Sequence, residues 1–134
     1  MKVGFVASAF DLLHPGHLAL LEEAKKHCDH LVAALHVNPK IERMNKNQPV
    51  ETVFERYLRL ESCKFVDQII PYETETDLMN MLHILKPDVR FLGSDYQDQE
   101  NFTGKELEIK IIYVDRSHSF SSSNLRNRLL KSNE

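Results

Sequence analysis

Tryptophan is absent from the chain, and glycine and proline are scarce, at four and five residues in 134. That scarcity excludes collagen-like, low-complexity and linker-rich chains. The only cysteines, Cys28 and Cys63, fall in separate helical patterns without CxxC spacing. Small disulfide scaffolds carry more, so both read as free, buried thiols. No apolar run approaches the ~18 residues that cross a membrane. The apolar N-terminus is short and meets Asp11 early, so it reads as a buried strand and not a signal peptide. Cytoplasmic localisation is therefore expected, with no membrane partner. Basic charge is not in excess: 17 Lys and Arg stand against 20 Asp and Glu, a net charge of −3. A general nucleic-acid surface is accordingly not expected.

What is present fits a single domain over residues 1–134. Hydrophobic residues make up 42% and charged residues 28%, ordinary for a globular chain. A domain of this size buries roughly two-thirds of the surface its unfolded chain exposes.

Short apolar runs alternate with helical patterns. Strands are expected over residues 3–7, 31–35, 67–70 (closed by Pro71), 89–93 and 109–114. Helices are expected over 16–27, 51–65, 77–85 (stopped before Pro87) and from the serines at 121–123 to 131. The polar stretch 38–48 lacks periodicity and reads as a mobile loop. This order predicts an α/β fold: a Rossmann-like, five-stranded parallel sheet with helices on both faces. Ligands of such sheets sit beyond the carboxyl ends of the strands. Three segments follow strands and so merit attention: 8–17, 93–96 and 115–123.

In the first, His14 and His17 flank Pro15-Gly16 at the start of a helix. Proline suits a first helical turn, and glycine lets a ligand approach the backbone. Unpaired N–H groups and the helix dipole favour an anion there. Two imidazoles add donors for phosphate oxygens, and one of them can carry a proton. The alternatives are a zinc site, which lacks further ligands at suitable spacing, and a purely structural turn. In the third segment, Arg116 precedes Ser121-Ser122-Ser123 at the opening of the last helix. Serines there cap the helix and also offer hydroxyls to an anion, and arginine adds bidentate charge.

The run Phe10-Asp11-Leu12-Leu13-His14-Pro15-Gly16-His17, directly after the first strand, resembles the HxGH signature of the nucleotidyltransferase superfamily. The resemblance is to compact cytidylyltransferases of the glycerol-3-phosphate type, and it spans nearly the whole chain. It implies that His14 and His17 bind the triphosphate and stabilise departing pyrophosphate. Ser8, Ala9, Phe10, Asp11 and Gly16 would belong to the same nucleotide loop, with Asp11 also facing the acceptor. Ser8-Ala9 stands where the family has Gly-Thr or Gly-Ser. The stretch from Arg116 to Ser123 resembles the second family signature, with Arg116, Ser121, Ser122 and Ser123 on its Arg and Ser-Thr-Thr positions. Gly93-Ser94-Asp95-Tyr96 resembles the family turn beside the base, which assigns Gly93 and Asp95 to the nucleotide. Arg56 resembles an acceptor-contacting arginine, though alone it would read as a surface residue. Lys46 is the best match to a functional loop lysine, with Lys40 and Arg43 as alternatives.

By this resemblance the chain transfers a nucleoside monophosphate, CMP from CTP first, to a phosphorylated small molecule such as glycerol 3-phosphate. Mg²⁺ would accompany the NTP, and a homodimer is implied. An ATP-dependent adenylyltransferase of the FAD-synthetase type and a nucleotide-binding module without turnover are the other readings.

Overall fold

The computed structural model describes residues 1–97, 102–115 and 122–132, and leaves the side chains of Asp95 and Ser122 undescribed. Five parallel strands form one sheet: β1 (Val3–Ser8), β2 (His30–His36), β3 (Gln68–Tyr72), β4 (Val89–Gly93) and β5 (Lys110–Val114). Their order is β3-β2-β1-β4-β5. The chain winds outward from β1 to β3, then returns to the other side of β1 for β4. The strand order therefore reverses between β1 and β4, and a crevice opens beyond Ser8 and Gly93. The helices are α1 (Pro15–Lys25), α2 (Val53–Glu61), α3 (Glu75–Leu85) and α4 (Ser122–Ser132).

Strand alternation divides the core between the two sheet faces. Val6, Ala33, Val89 and Phe91 pack with Leu21 and Ala24 of α1 and Leu60 of α2. Phe5, Val32, Ala34 and Tyr72 pack with Leu78, Met81 and Leu82 of α3. The expected doubly covered parallel sheet is the observed one.

The helix starts were set by side chains that periodicity does not weigh. Thr52 and Glu55 form a capping box at α2, as do Thr74 and Asp77 at α3. Thr52 as cap excludes Glu51 from α2, and the helix ends at Glu61, short of 65. Lys86 adopts a left-handed φ of 46° and ends α3 directly before Pro87.

Pro71 was expected to close its strand but lies inside β3, paired with Leu35. β3 is an edge strand, where a missing N–H is tolerated. The 38–48 segment is not uniformly irregular: Pro39–Ile41 form a 3₁₀ turn capped by the Asn38 side chain. Cys28 and Cys63 are free, as expected, but only half-buried. Of the apolar residues of α4, Leu129 and Leu130 are exposed.

Gly4 is where β1 passes closest to its neighbours. A Cβ there would lie 2.7 Å from Cys28 Sγ and 2.8 Å from Phe91 Cε2. Gly4→Ala is expected to destabilise the chain by about 1–3 kcal/mol through overpacking, read as a lower urea midpoint at unchanged m-value.

Candidate functional site

The loop between β1 and α1 is conformationally unfavourable on its own. Phe10 and Leu12 hold φ values of 50° and 53°. Left-handed backbone at non-glycine residues costs about 1–3 kcal/mol each and persists only where surroundings enforce it. The enforcement is explicit. Ser8 Oγ accepts from the Phe10 N–H at 3.2 Å, and the Phe10 ring is buried in the core. Asp11 accepts from the N–H groups of Val50 and Glu51 at 2.9 and 3.0 Å. Glu51 reciprocates, its Oε1 accepting from the Leu12 N–H at 2.8 Å. Its other oxygen is held by Arg59 Nε at 2.6 Å.

Arg56 departs from both sequence readings of it. It is neither a surface side chain nor a wall of the cavity described below, being 2% exposed. Its guanidinium reaches five backbone carbonyls. Nε donates to Glu51 and Thr52, Nη1 to Ala9 and His36, and Nη2 to Val37. One side chain thus ties the exits of β1 and β2 to the start of α2. Burial pushes this guanidinium below its ordinary pKa, while Asp11 and Glu51 act the other way.

His14 is the N-cap of α1. Its Nδ1 accepts from the N–H groups of Gly16 and His17 at 3.0 and 3.4 Å. His17 Nδ1 accepts in return from the His14 N–H at 3.3 Å. This is a capping box made of two imidazoles. Their rings stack at 3.9 Å, inclined by 24°. An accepting Nδ1 leaves the ring proton on Nε2, so each imidazole serves as a neutral Nε2–H donor. The expectation that one of them carries a second proton does not suit these caps.

A cavity of about 400 Å³ opens at the strand-order reversal. Ser8, Ala9, Phe10, Asp11, His14, Gly16 and His17 line it, with Lys46 from the 42–50 loop, Gly93 from the end of β4 and Ser123 from α4. These sequence-selected residues are brought together. Of the loop cations, Lys46 and Arg43 reach the cavity and Lys40 does not. Arg43 is committed to Glu75 at 3.1 Å. Arg116 and Ser121 lie outside the described residues, as do the side chains of Asp95 and Ser122.

Sequence reasoning missed Arg126. It lines the cavity from α4 and pairs with the Asp11 carboxylate. The available signal was its spacing: three residues after Ser123, on the same helix face. Sequence reasoning also missed His36, Tyr72 and Arg90, which line the far side of the cavity. They sit inside strands, where only the sheet decides what each faces.

Among the described residues, no group of three or more His, Cys, Asp and Glu side chains is placed to hold a metal. Asp11, the carboxylate at the loop, is already engaged by two N–H groups and Arg126. These residues do not fit a resident Mg²⁺. No helix among them is long and apolar enough to cross a membrane.

A family model described as "Cytidylyltransferase-like" matches residues 5–128. "Bifunctional protein HldE" of Caulobacter sp. strain K31 is 33% identical over 134 residues, covering 96% of this chain and 27% of that protein. The protein of the same name from Acidiphilium cryptum strain JF-5 is 36% identical over 108 residues, 80% of this chain and 22% of that one. The chain thus spans about a quarter of the length of the curated relatives it matches. Among solved structures, the lipopolysaccharide core biosynthesis protein of Thermoplasma volcanium GSS1 aligns with a TM-score of 0.67 at 29% identity, covering 86% of this chain and 95% of that one. Pantothenate synthetase of Thermus thermophilus aligns at 0.64 and 19% identity, covering 93% and 61%, and shares the fold.

Replacing Arg56 with methionine would leave the carbonyls of Ala9, His36 and Val37 without their partner and Asp11 without its buried counter-charge. The expected loss is about 3–5 kcal/mol, measured by denaturant unfolding.

Proposed function

Since the chain belongs to the cytidylyltransferase-like family, we propose that it transfers a nucleoside monophosphate from an NTP to a phosphorylated small molecule and releases pyrophosphate. CTP is the first candidate donor and ATP the second. The observation that carries this reading is the stacked histidine pair, whose Nδ1 caps leave Nε2–H as the donor of each ring on the cavity wall.

An acceptor phosphate needs no protein nucleophile. One of its oxygens attacks the α-phosphorus in line, the new P–O bond forms, and the bond from the α-phosphorus to its bridging oxygen breaks. Both electrons of that bond leave with pyrophosphate. The protein's part is positioning and charge stabilisation. His14 and His17 donate from Nε2 to phosphate oxygens. Gly16, buried in the first turn of α1, admits a phosphate to the backbone N–H groups. Lys46 and Arg126 supply positive charge from the cavity wall. Asp11 sets the position of Arg126 through their ion pair. Ser123, and by resemblance Arg116, Ser121 and Ser122, hold the β- and γ-phosphates at the start of α4. Gly93 and Asp95 sit by the base. Mg²⁺ would enter on the triphosphate as part of the substrate.

A relative named for lipopolysaccharide core biosynthesis supports a sugar-derived acceptor, alongside glycerol 3-phosphate. Cytoplasmic localisation and a homodimer complete the proposal. Phe54 and Leu58, one turn apart on α2, are 70% and 47% exposed beside an exposed Val50, and form the apolar face such a dimer would cover. Sedimentation at the mass of one chain would remove the dimer.

His17→Ala is expected to fold and to lose roughly 10²–10³ in turnover, the effect of one preorganised donor. Pyrophosphate release, with CTP and ATP crossed against phosphorylated acceptors, is the assay. Turnover close to wild type would overturn the role of His17. Saturable NTP binding with no release from any acceptor would make the chain a binding module.

A further inference from the structure

The far side of the cavity has a different chemistry from the histidine side. His36 ends β2, Tyr72 ends β3 and Arg90 lies within β4. Val89 and Phe91 face the α1 side of the sheet, so alternation turns Arg90 toward the α3 side with Phe5 and Ala34. Gly104 (φ 85°) crosses behind it, with no room for a Cβ: that atom would lie 2.6 Å from Leu82 Cδ1 and 3.0 Å from Arg90 Nη1.

Arg90 is 4% exposed and His36 5%, and both line the cavity. Among the described residues Arg90 makes one hydrogen bond, from Nη1 to the Thr103 carbonyl, and it lies 5.4 Å from the centre of the Phe102 ring. Arg90 Nε and His36 Nε2 are buried without a hydrogen-bond partner. Among the described residues no carboxylate forms an ion pair with Arg90. Glu75, on the same wall, has both oxygens committed, to Arg43 at 3.1 Å and to Thr103 Oγ1 at 2.8 Å. The Tyr72 ring stacks on His36 at 4.5 Å. Burial pushes the Tyr72 phenol above its ordinary range, so it remains a protonated donor.

Uncompensated, a cation in such a place is strongly unfavourable. Arg56, the other deeply buried arginine, shows what compensation looks like: five carbonyls. Arg90 has one, and the cavity adjoins it. The missing counterpart is a ligand group with several lone pairs and negative charge. Burial lowers the His36 imidazole below its ordinary pKa, and an anion there acts against that shift, favouring a proton on Nε2, the nitrogen now without a partner.

We propose that Arg90, His36 and Tyr72 form an oxyanion subsite for the non-reacting end of the acceptor. The favoured acceptor then carries, besides the phosphate that attacks, an acidic oxygen group at its other end. This deepens the nucleotidyltransferase reading and rests on it for the identity of the ligand. The placement agrees with the division of the sheet: the histidines belong to α1 on one face, and Arg90 lies under α3 on the other. An acceptor that bridges the end of β1 would meet both.

The subsite is testable without turnover. In nucleotide-free chain, the Arg90 side-chain Nε–H resonance, assigned by its loss in Arg90→Lys, is followed by ¹⁵N NMR against glycerate, inorganic phosphate and glycerol. A shift with glycerate assigns a carboxylate, and a shift with phosphate alone assigns a second phosphate. No shift with either anion, or an equal shift with glycerol, overturns the proposal. Arg90→Met, with its fold confirmed by unfolding, should weaken anion binding, followed in this variant on the His36 ring resonances, by roughly 10–100-fold, the effect of one lost charge-assisted contact. In the pyrophosphate assay, a carboxylate subsite predicts a lower KM for 3-phosphoglycerate than for glycerol 3-phosphate, and Arg90→Met should bring the two together. Pyrophosphate silence with the resonance shift intact removes the nucleotidyltransferase reading and keeps the subsite. Release with a silent resonance does the reverse.

Discussion

The buried guanidinium of Arg56 is the point on which the site's geometry depends. Five carbonyls from three parts of the chain converge on one planar group. These carbonyls lie in the segments leaving β1, leaving β2 and entering α2, and that of Thr52 also accepts the first bond of α2, from the Arg56 N–H. Desolvating a charge is unfavourable, and here the acceptors around it offset that cost. Asp11 and Glu51 extend the same latch, each carboxylate holding the N–H groups of the other's segment. Phe10 and Leu12 can therefore stay in left-handed backbone, which places Asp11 toward α2 and the histidines at the start of α1.

At the histidines, capping uses one nitrogen of each ring. Nδ1 of each ring accepts at the start of α1, which puts the ring proton on Nε2. Stacking at 3.9 Å fixes the two rings relative to each other. Preorganisation here is a by-product of capping: a ring that turned to another tautomer would also release the first turn of α1.

Positive charge around the cavity is distributed by element. Lys46 and Arg43 come from the loop before α2, Arg126 from α4 and Arg90 from β4. Their partners differ, and so do their roles. Arg126 is set by Asp11 and Arg43 by Glu75, whereas among the described residues Arg90 has only the Thr103 carbonyl and the Phe102 ring.

The sequence by itself determined the class of fold and the nucleotide loop. Continuous apolar runs at 3–7 and 31–35 belong to strands covered on both faces, and helical periods after them leave a doubly wound parallel sheet. The His14-Pro15-Gly16-His17 run was legible because its structure is local: cap and first turn fall within four residues. Pro71 was misread because strand position, edge or centre, is a property of the sheet. Arg56, Arg126 and Arg90 were the residues whose roles only the tertiary structure decided. An arginine's long stem lets the same residue type be solvated, latched to carbonyls, paired with a carboxylate or left facing a cavity. Which of these occurs depends on groups as far apart in the chain as Ala9 and Arg56, or Asp11 and Arg126. Local spacing carries no record of those meetings, because they exist only after the sheet has brought the ends of its strands together.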